Sequence, residues 1–251
     1  MHTLRVVGGL IVLAFAQETS SPSDYENPSQ KKARGGIQFY QEVAYNSLLG
    51  SPETLQSSVE GLGSIKINLS LLPRLRFGAF YFGAGGGIAI REVRFEEPLI
   101  LFSTPEKRFN YFVDSMPENV RTKSKFQLGY LRIPIEIGIL RRNFNFAVFA
   151  YGEALIWSKH KRKYREGNDL SRFIVYGNRN FQTEIVQYGI GGRIGYRGIG
   201  IFGAYNLSPL WRSEKGPKNV RALQAGIYIF QTLHTGSSSP TRKASLVLTQ
   251  L

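Results

Sequence analysis

Hydrophobic and polar residues alternate with a period of two along several segments of this chain. In residues 131–139, one face carries Leu131 and then isoleucine at every second position to Ile139, while the other face carries Arg132, Pro134, Glu136 and Gly138. Successive side chains of a β-strand point to opposite faces of the sheet. The pattern therefore predicts strands with one aliphatic face and one polar, often charged face. Because Pro134 cannot donate a backbone hydrogen bond, we expect a local bulge there.

The same reading extends over most of the chain and predicts an all-β protein. Eight candidate strands are separated by turn-forming or polar residues. They cover residues 35–48, 61–72, 75–91, 124–140, 143–158, 181–196, 198–208 and 219–231.

Short and long connections alternate between these strands. The tight turns are predicted at Pro73-Arg74, Arg141-Arg142 and Arg197-Gly198, and the long connections at 49–60, 92–123, 159–180 and 209–218. Bacterial outer-membrane barrels have an even strand number, short periplasmic turns and long external loops. The sequence thus predicts an eight-stranded antiparallel up-and-down transmembrane β-barrel over residues 35–231. The alternation alone also allows a soluble, lipocalin-like periplasmic binding barrel, in which the aliphatic faces would line a cavity.

The N-terminus has the features of a secretory signal peptide. Arg5 precedes an apolar run from Val6 to Ala16, and Ala14-Phe15-Ala16 fits a small-x-small cleavage site, which predicts a signal peptide over residues 1–16. Residues 17–34 are expected to form a flexible periplasmic lead-in and residues 232–251 a C-terminal tail. No later segment reaches the ~20 apolar residues of a membrane helix. The expected location is the bacterial outer membrane, with both termini periplasmic.

Composition and charge narrow the possible functions. The chain has no Cys, which excludes a disulfide scaffold and thiolate chemistry. The net charge is +14, but the basic residues occur at both ends of the predicted barrel rather than on one face. Together with the export signal, this distribution argues against a nucleic-acid partner. The expected partners are outer-membrane lipid and lipopolysaccharide, together with secretion or envelope proteins.

One strand resembles a known family. Residues Leu128 to Ile135 contain a Tyr-Leu-x-Ile-Pro pattern similar to that of the small outer-membrane barrels of Bacteroidetes, which include the PorT-like barrel linked to type IX secretion. The glycine-rich segment 189–195, residues Ala204 to Leu210 and the strand from Asn219 to Phe230 add to the likeness. The resemblance implies an outer-membrane barrel with a structural, surface-interaction or secretion-associated role and no chemistry of its own.

Charged residues on the polar strand faces are candidates for a structural network in the barrel lumen. An eight-stranded barrel is just wide enough for its interior side chains to fill it, so opposed charges there would pair and plug it. The predicted members are Glu42, Lys66, Arg91, Arg132, Glu136, Glu153 and Arg193.

The densest basic cluster is predicted to lie in the 159–180 loop, directly after Trp157. A tryptophan at this position favours the membrane interface, and Lys and Arg bind phosphate. The cluster is therefore a candidate for contact with lipopolysaccharide phosphates, and its members are Lys159, Lys161, Arg162, Lys163 and Arg165.

Catalytic signals are few. His160 is the one histidine placed near a membrane face, and it is expected to be a solvated loop residue; a lipid-modifying enzyme remains the alternative that its replacement would test. The glycines between Gly83 and Gly87 lack the following Gly-Lys-Ser/Thr of a phosphate-binding loop. We therefore predict no catalytic residue, no metal site and no cofactor.

Overall fold

The computed structural model describes residues 34–50, 64–95, 99–104, 106, 108–113, 120–166, 169–177, 181–212 and 215–233. The expected signal peptide, all but the last residue of the lead-in and the tail from residue 234 onward lie outside these ranges. Within the described part, no helix is long and apolar enough to cross a membrane.

Twelve β-strands make up the described part of the chain. They are β1 (Arg34–Leu49), β2 (Ile65–Phe77), β3 (Phe80–Ala84), β4 (Gly86–Phe95), β5 (Leu99–Ser103), β6 (Phe109–Val113), β7 (Val120–Arg141), β8 (Phe144–Glu166), β9 (Asp169–Tyr176), β10 (Val186–Tyr196), β11 (Ile199–Asn206) and β12 (Arg221–Leu233).

Ten of these strands belong to one antiparallel sheet, whose pairings run round a ring of eight positions. The order is β1, β2, β3 with β4, β7, β8, β10, β11 and β12, and β12 pairs back onto β1. Each position neighbours the next one along the chain, which is an up-and-down arrangement. The predicted eight-stranded antiparallel barrel is confirmed.

The first tight turn does not lie where it was predicted. Pro73 stays inside β2, opposite Ile37 of β1, and the chain reverses five residues later, at Gly78 and Ala79. Gly78 has φ of 64°, a left-handed conformation that glycine adopts without steric cost. The second turn, at Arg142 and Asn143, begins within the predicted pair, and the third lies at Arg197 and Gly198 as predicted.

The expected bulge at Pro134 is also wrong. The register between β7 and β8 shifts at Gly129 and Tyr130, where Ile156 is the extra residue of β8. Pro134 instead coincides with the interruption between β3 and β4: the amide of Gly85 donates to the carbonyl of Pro134 at 3.1 Å, but Pro134 has no N–H to return the bond. The absence of this hydrogen bond coincides with the break between β3 and β4, and the register with β7 is the same on both sides of the break.

Most of the predicted 159–180 loop is strand. β8 continues to Glu166, and β9 pairs along it from Lys159 to Glu166. β7 begins at Val120 and pairs with this extension, so β7, β8 and β9 form a sheet that continues past the ring. The predicted 92–123 loop likewise contains the β5–β6 hairpin.

The side chains of the ring are distributed in the opposite way to those of a soluble barrel. On β7, Ile133 and Ile137 are 62% and 63% exposed, whereas Arg132 and Glu136 are 2% and 1% exposed. The aliphatic faces point outward, and the charged faces fill the interior. This overturns the soluble lipocalin-like alternative, which required the aliphatic faces to line a cavity, because an outer wall of this kind suits lipid.

An apolar cluster lies beside the polar interior. It combines residues of β4, β5 and β7 with residues after β9 and β11, among them Phe126, Phe181 and Trp211, each 0–1% exposed. Leu99 and Leu101 of the β5–β6 hairpin belong to the same cluster, so this hairpin packs onto the barrel through its apolar side chains.

Candidate functional site

Glu153 of β8 is the centre of the first group of buried charges. Its Oε1 lies 2.6 Å from Nζ of Lys66 and 2.5 Å from Nη1 of Arg132, and its Oε2 lies 3.9 Å from Arg91. The four side chains come from strands β8, β2, β7 and β4, and each is at most 2% exposed. One carboxylate thus holds cations from three other strands in the same interior.

Glu42 and Glu136 are the centre of a second group. Arg193 of β10 reaches both, with Nη2 3.0 Å from Glu42 and Nη1 3.5 Å from Glu136. Arg74 donates from Nε to Glu136 at 2.9 Å, and Asn68 donates to Glu42 at 2.8 Å. Arg132 lies 4.0 Å from Glu42 and so connects the two groups.

All seven residues named for the lumen from the sequence therefore lie inside the ring, within reach of one another. Sequence reasoning missed Arg74, which it assigned to a periplasmic turn. The signal was available, because Arg74 continues the polar face of β2 through Lys66, Asn68 and Ser70. Extending the alternation past Pro73 would have placed Arg74 inside.

The described interior contains more cations than carboxylates. Five buried cations (Lys66, Arg74, Arg91, Arg132 and Arg193) face three buried glutamates. Aromatic faces help to accommodate the surplus: the guanidinium of Arg74 lies 3.7 Å from the ring centroid of Tyr81, that of Arg132 4.0 Å from Tyr151 and that of Arg193 4.3 Å from Tyr40.

These side chains fill the interior. The space lined by Tyr40, Glu42, Arg132 and Arg193 has no volume open to a water molecule. Charges that are paired and closely packed brace a barrel and leave no aqueous path between them. At this level, the side chains themselves occupy the lumen.

The basic cluster on β8 is divided between the two faces of the sheet. After the register shift at Ile156, Trp157, Lys159, Lys161 and Lys163 lie on the face that is lipid-facing further down the barrel. Arg162 lies on the opposite face with His160. Arg165 belongs to β8 and pairs with Arg121 through the backbone, and its side chain lies outside the described set.

The outward lysines of β8 stand opposite basic or polar residues of β7. The paired positions are Lys163 with Lys123, Lys161 with Lys125 and Lys159 with Gln127. A cleft of about 240 Å³ is lined by Lys123, Lys125, Gln127, Lys161 and Lys163. Sequence reasoning named the lysines of β8 but not those of β7. Lys123 fell in the predicted 92–123 loop, and Lys125 fell in the predicted strand 124–140, where the sequence did not show which residue lies opposite it.

Glu92, near the end of β4, lies on the same outward face as these lysines. Among the described side chains, it is the carboxylate that contacts them. It accepts hydrogen bonds from Lys125 at 2.7 Å, from Arg94 at 2.6 Å and from Gln127. Partial burial raises the pKa of Glu92, but these three donors outweigh it and hold the pKa below its ordinary value. The carboxylate is therefore ionised and already engaged by three donors.

His160 is not the solvated loop residue that the sequence suggested. It lies on β8 beyond the apolar band and is 2% exposed. Its Nε2 is 2.8 Å from Oγ of Ser124, and that hydroxyl donates to the carbonyl of Leu99 at 2.9 Å. Which of the two atoms, Nε2 or Oγ, donates to the other depends on the tautomer of the imidazole ring. Burial, with a contribution from Arg162, lowers the pKa of His160 to about 4, so the ring is neutral at pH 7 and helps to dock the β5–β6 hairpin.

His160 and Ser124 are buried together at the Leu99 carbonyl, and each is 2% exposed. In the described part of the chain, no three or more His, Asp or Glu side chains are grouped to hold a metal ion.

No protein-family model matches this chain, and no curated protein sequence matches it. Among solved structures, it is similar to Ail, the attachment invasion locus protein of Yersinia pestis, in complex with the heparin analogue sucrose octasulfate, with 13% identity over 80% of this chain and 99% of Ail and a TM-score of 0.32. A structure of Ail not described as a complex gives 11% identity over 78% and 97%, with a TM-score of 0.30. A triple-mutant porin of Rhodopseudomonas blastica gives 10% identity over 80% and 100%, with a TM-score of 0.17.

At these identities and TM-scores, the likeness does not define the class of the protein. The protein's own strand ring, with aliphatic side chains outside and paired charges inside, does so. It is a membrane-spanning antiparallel β-barrel of the outer-membrane type.

Proposed function

We propose that this protein is a non-enzymatic integral barrel of the bacterial outer membrane that anchors the β7–β8–β9 sheet at the cell surface. The observation that carries the proposal is the inverted polarity of the ring, with aliphatic residues outside and paired charges inside. The signal peptide predicted from residues 1–16 supplies the route of export.

The orientation follows from the lengths of the connections. Short turns join β2 to β3, β7 to β8 and β10 to β11 at one end of the ring. The extended strands and the β5–β6 hairpin lie at the other. In outer-membrane barrels, short turns face the periplasm and long connections face outward. Both termini are then periplasmic, and the extended sheet is external.

The packed interior supports anchoring rather than transport as the role. A transport pore needs a continuous polar path, whereas the lumen is filled where Arg132 and Arg193 meet Glu42. The parts free to make specific contacts are the external strands, and binding residues tend to be carried on such connections above a rigid scaffold.

The experiment that tests the proposal is the electrophoretic mobility of the protein from the outer-membrane fraction, with and without boiling in detergent. A barrel held by a continuous ring of strand pairs resists mild detergent, so the unboiled protein should migrate faster and boiling should remove the difference. The soluble periplasmic fraction of the same cells is the control. Recovery of the protein in that fraction, with no shift on heating, would contradict the proposal.

A secretion-associated, PorT-like role is the finer form of this function. It is supported by the Ile-Pro strand of residues 128–135, in which Pro134 faces the β3–β4 interruption at Gly85. A deletion strain should then retain in the periplasm the cargo of type IX secretion. Normal secretion by that strain would rule out this role and leave the anchoring role intact.

A further inference from the structure

The outward face of the β7–β8 extension carries lysines in directly opposed pairs. Lys123 pairs with Lys163 and Lys125 with Lys161, and Lys159 lies one pair closer to the barrel, opposite Gln127. We call these five lysines the lysine ladder. Side chains directly opposite each other on antiparallel strands have Cβ atoms about 4.5–5.5 Å apart, and like charges at such positions destabilise the sheet.

A neighbouring strand brings a further cation to this face. β4 contributes Arg94 opposite Lys125 in the backbone register. Glu92 is the carboxylate that the described residues supply to this face, and it is shared among Lys125, Arg94 and Gln127. Among the described side chains of this face, cations thus outnumber carboxylates, and an anion bound there would lower the repulsion between the opposed lysines.

Trp157 locates the ladder relative to the membrane. Its ring lies over Gly129, where a Cβ atom would come within 2.2 Å of the indole nitrogen. The aliphatic stripe of β7 starts one outward position below, at Leu131. Tryptophan at the end of an apolar band marks the membrane–water interface, so the ladder begins where the hydrocarbon ends.

The spacing of the ladder fits the headgroup layer. Alternate residues of a strand are about 7 Å apart, and with a tilt of 35–45° each lysine row rises about 5 Å along the membrane normal. The rows at Lys159, Lys161 and Lys163 then lie roughly 5, 10 and 15 Å above Trp157. The interfacial layer adds about 5–8 Å to each side of the hydrocarbon, so the row at Lys159 lies within the headgroup layer. The rows at Lys161 and Lys163 lie just above it, from where flexible lysine side chains extend back toward the phosphates.

The ladder also encloses a space for a ligand group. The cleft of about 240 Å³ is bounded by both opposed lysine pairs and by Gln127. It opens on the membrane-side face of the sheet rather than into the lumen, so a lipid in the same leaflet reaches it laterally. Several ammonium groups around a cleft suit a phosphate group, which accepts hydrogen bonds from more than one donor.

We propose that the lysine ladder binds the phosphate groups of lipid A in the outer leaflet. The inference rests on the proposed function for its orientation, since lipopolysaccharide occupies the outer leaflet only. Charge complementarity selects a phosphorylated lipid, and the position directly above Trp157 selects a headgroup over a soluble anion.

The test is the affinity of the purified, detergent-solubilised protein for bisphosphorylated lipid A. The variant Lys123→Gln, Lys125→Gln, Lys161→Gln and Lys163→Gln should bind at least about tenfold more weakly, because each lysine near a phosphate surface contributes favourably. Lys215→Gln with Lys218→Gln, which removes one half-buried and one exposed charge from the connection before β12, is the matched control and should bind as the unmodified protein does. The affinity of the unmodified protein should also fall with rising salt.

Two further ligands identify what is recognised. Dephosphorylated lipid A should bind the unmodified protein as weakly as bisphosphorylated lipid A binds the fourfold variant, and millimolar inorganic phosphate should not compete. Equal binding of dephosphorylated lipid A, or equal affinities of the fourfold variant and the unmodified protein, would overturn the proposal. So would competition by inorganic phosphate at low concentration, which would indicate a soluble anion.

Folding and binding are separable in this design. Removing opposed like charges relieves repulsion, so the fourfold variant should retain the heat-dependent mobility shift of the barrel. Lys163→Glu, which places opposite charges across the Lys123 pair, gives a second folded variant that should also bind more weakly. A fourfold variant that keeps its shift but binds lipid A normally would refute the ladder while leaving the anchoring function in place.

Discussion

Replacing Glu153 by Gln is expected to lower the free energy of unfolding by about 3–5 kcal/mol, because breaking a buried ion pair leaves an uncompensated charge. Gln keeps the shape of the side chain and can still accept a hydrogen bond, so the loss is mainly that of the negative charge. Lys66 and Arg132 would each lose an ion pair of 2.5–2.6 Å, and Arg91 would lose its contact at 3.9 Å. The measurement is equilibrium urea unfolding in detergent micelles or lipid vesicles.

The matched control is Glu106→Gln. Glu106 pairs with Arg108 at 3.7 Å, but the two side chains are 76% and 70% exposed, and exposed ion pairs contribute little to stability. We expect no measurable change there. A loss of less than about 1 kcal/mol at Glu153 would show that the lumen charges are solvated, because water would then replace the carboxylate. In that case water would lie between the lumen charges.

Combining Glu153→Gln with Lys66→Gln distinguishes pairing from general destabilisation. If the two residues act as a pair, the double variant should be more stable than the sum of the single losses implies. Coupling energies of contacting residues are about 0.5–3 kcal/mol. An additive result would mean that Arg132 and Arg91, rather than Lys66, hold the carboxylate.

The ring was predictable because its two faces differ in polarity. Residues 131–139 show this directly, since aliphatic side chains must meet lipid and the facing positions must fill a polar lumen. The same rule identified Arg132, Glu136 and Glu153 as interior residues. It could not give their partners, because which strands lie across the lumen from one another depends on barrel closure and tilt.

The extended sheet was missed for a physical reason. Beyond Trp157, both faces of β8 carry polar residues, with Lys159 and Lys161 on one side and His160 and Arg162 on the other. The lysine face lies outside the hydrocarbon, and the His160 face makes polar contacts. The two faces of β8 therefore no longer differ in polarity, and the alternation that identifies a strand is lost. The extra residue at Ile156 also reverses which positions face outward, so even a correct strand assignment would have inverted the faces.

The position of the first turn is set by a glycine rather than by the proline that precedes it. Pro73-Arg74 resembles a turn in sequence, but Pro73 is compatible with an extended backbone and stays in β2 beside Ile37. Gly78 supplies the positive φ that the reversal needs. The predicted turn was five residues too early, so Arg74 was assigned to a turn although it contacts Glu136 in the lumen.

Replacing Ile135 by Arg is expected to destabilise the protein by about 2–4 kcal/mol in lipid vesicles, the cost of placing Arg at the bilayer midplane on a barrel's lipid face. Ile135 is 46% exposed and lies midway along the aliphatic stripe of β7. Phe77→Arg is the matched control: Phe77 is 60% exposed at the β2–β3 turn, at the edge of the band, where the cost falls to about 0–1 kcal/mol. Equal losses of unfolding free energy at the two positions would contradict a membrane around the ring. A guanidinium group that is hydrated at both positions would destabilise the protein equally at each.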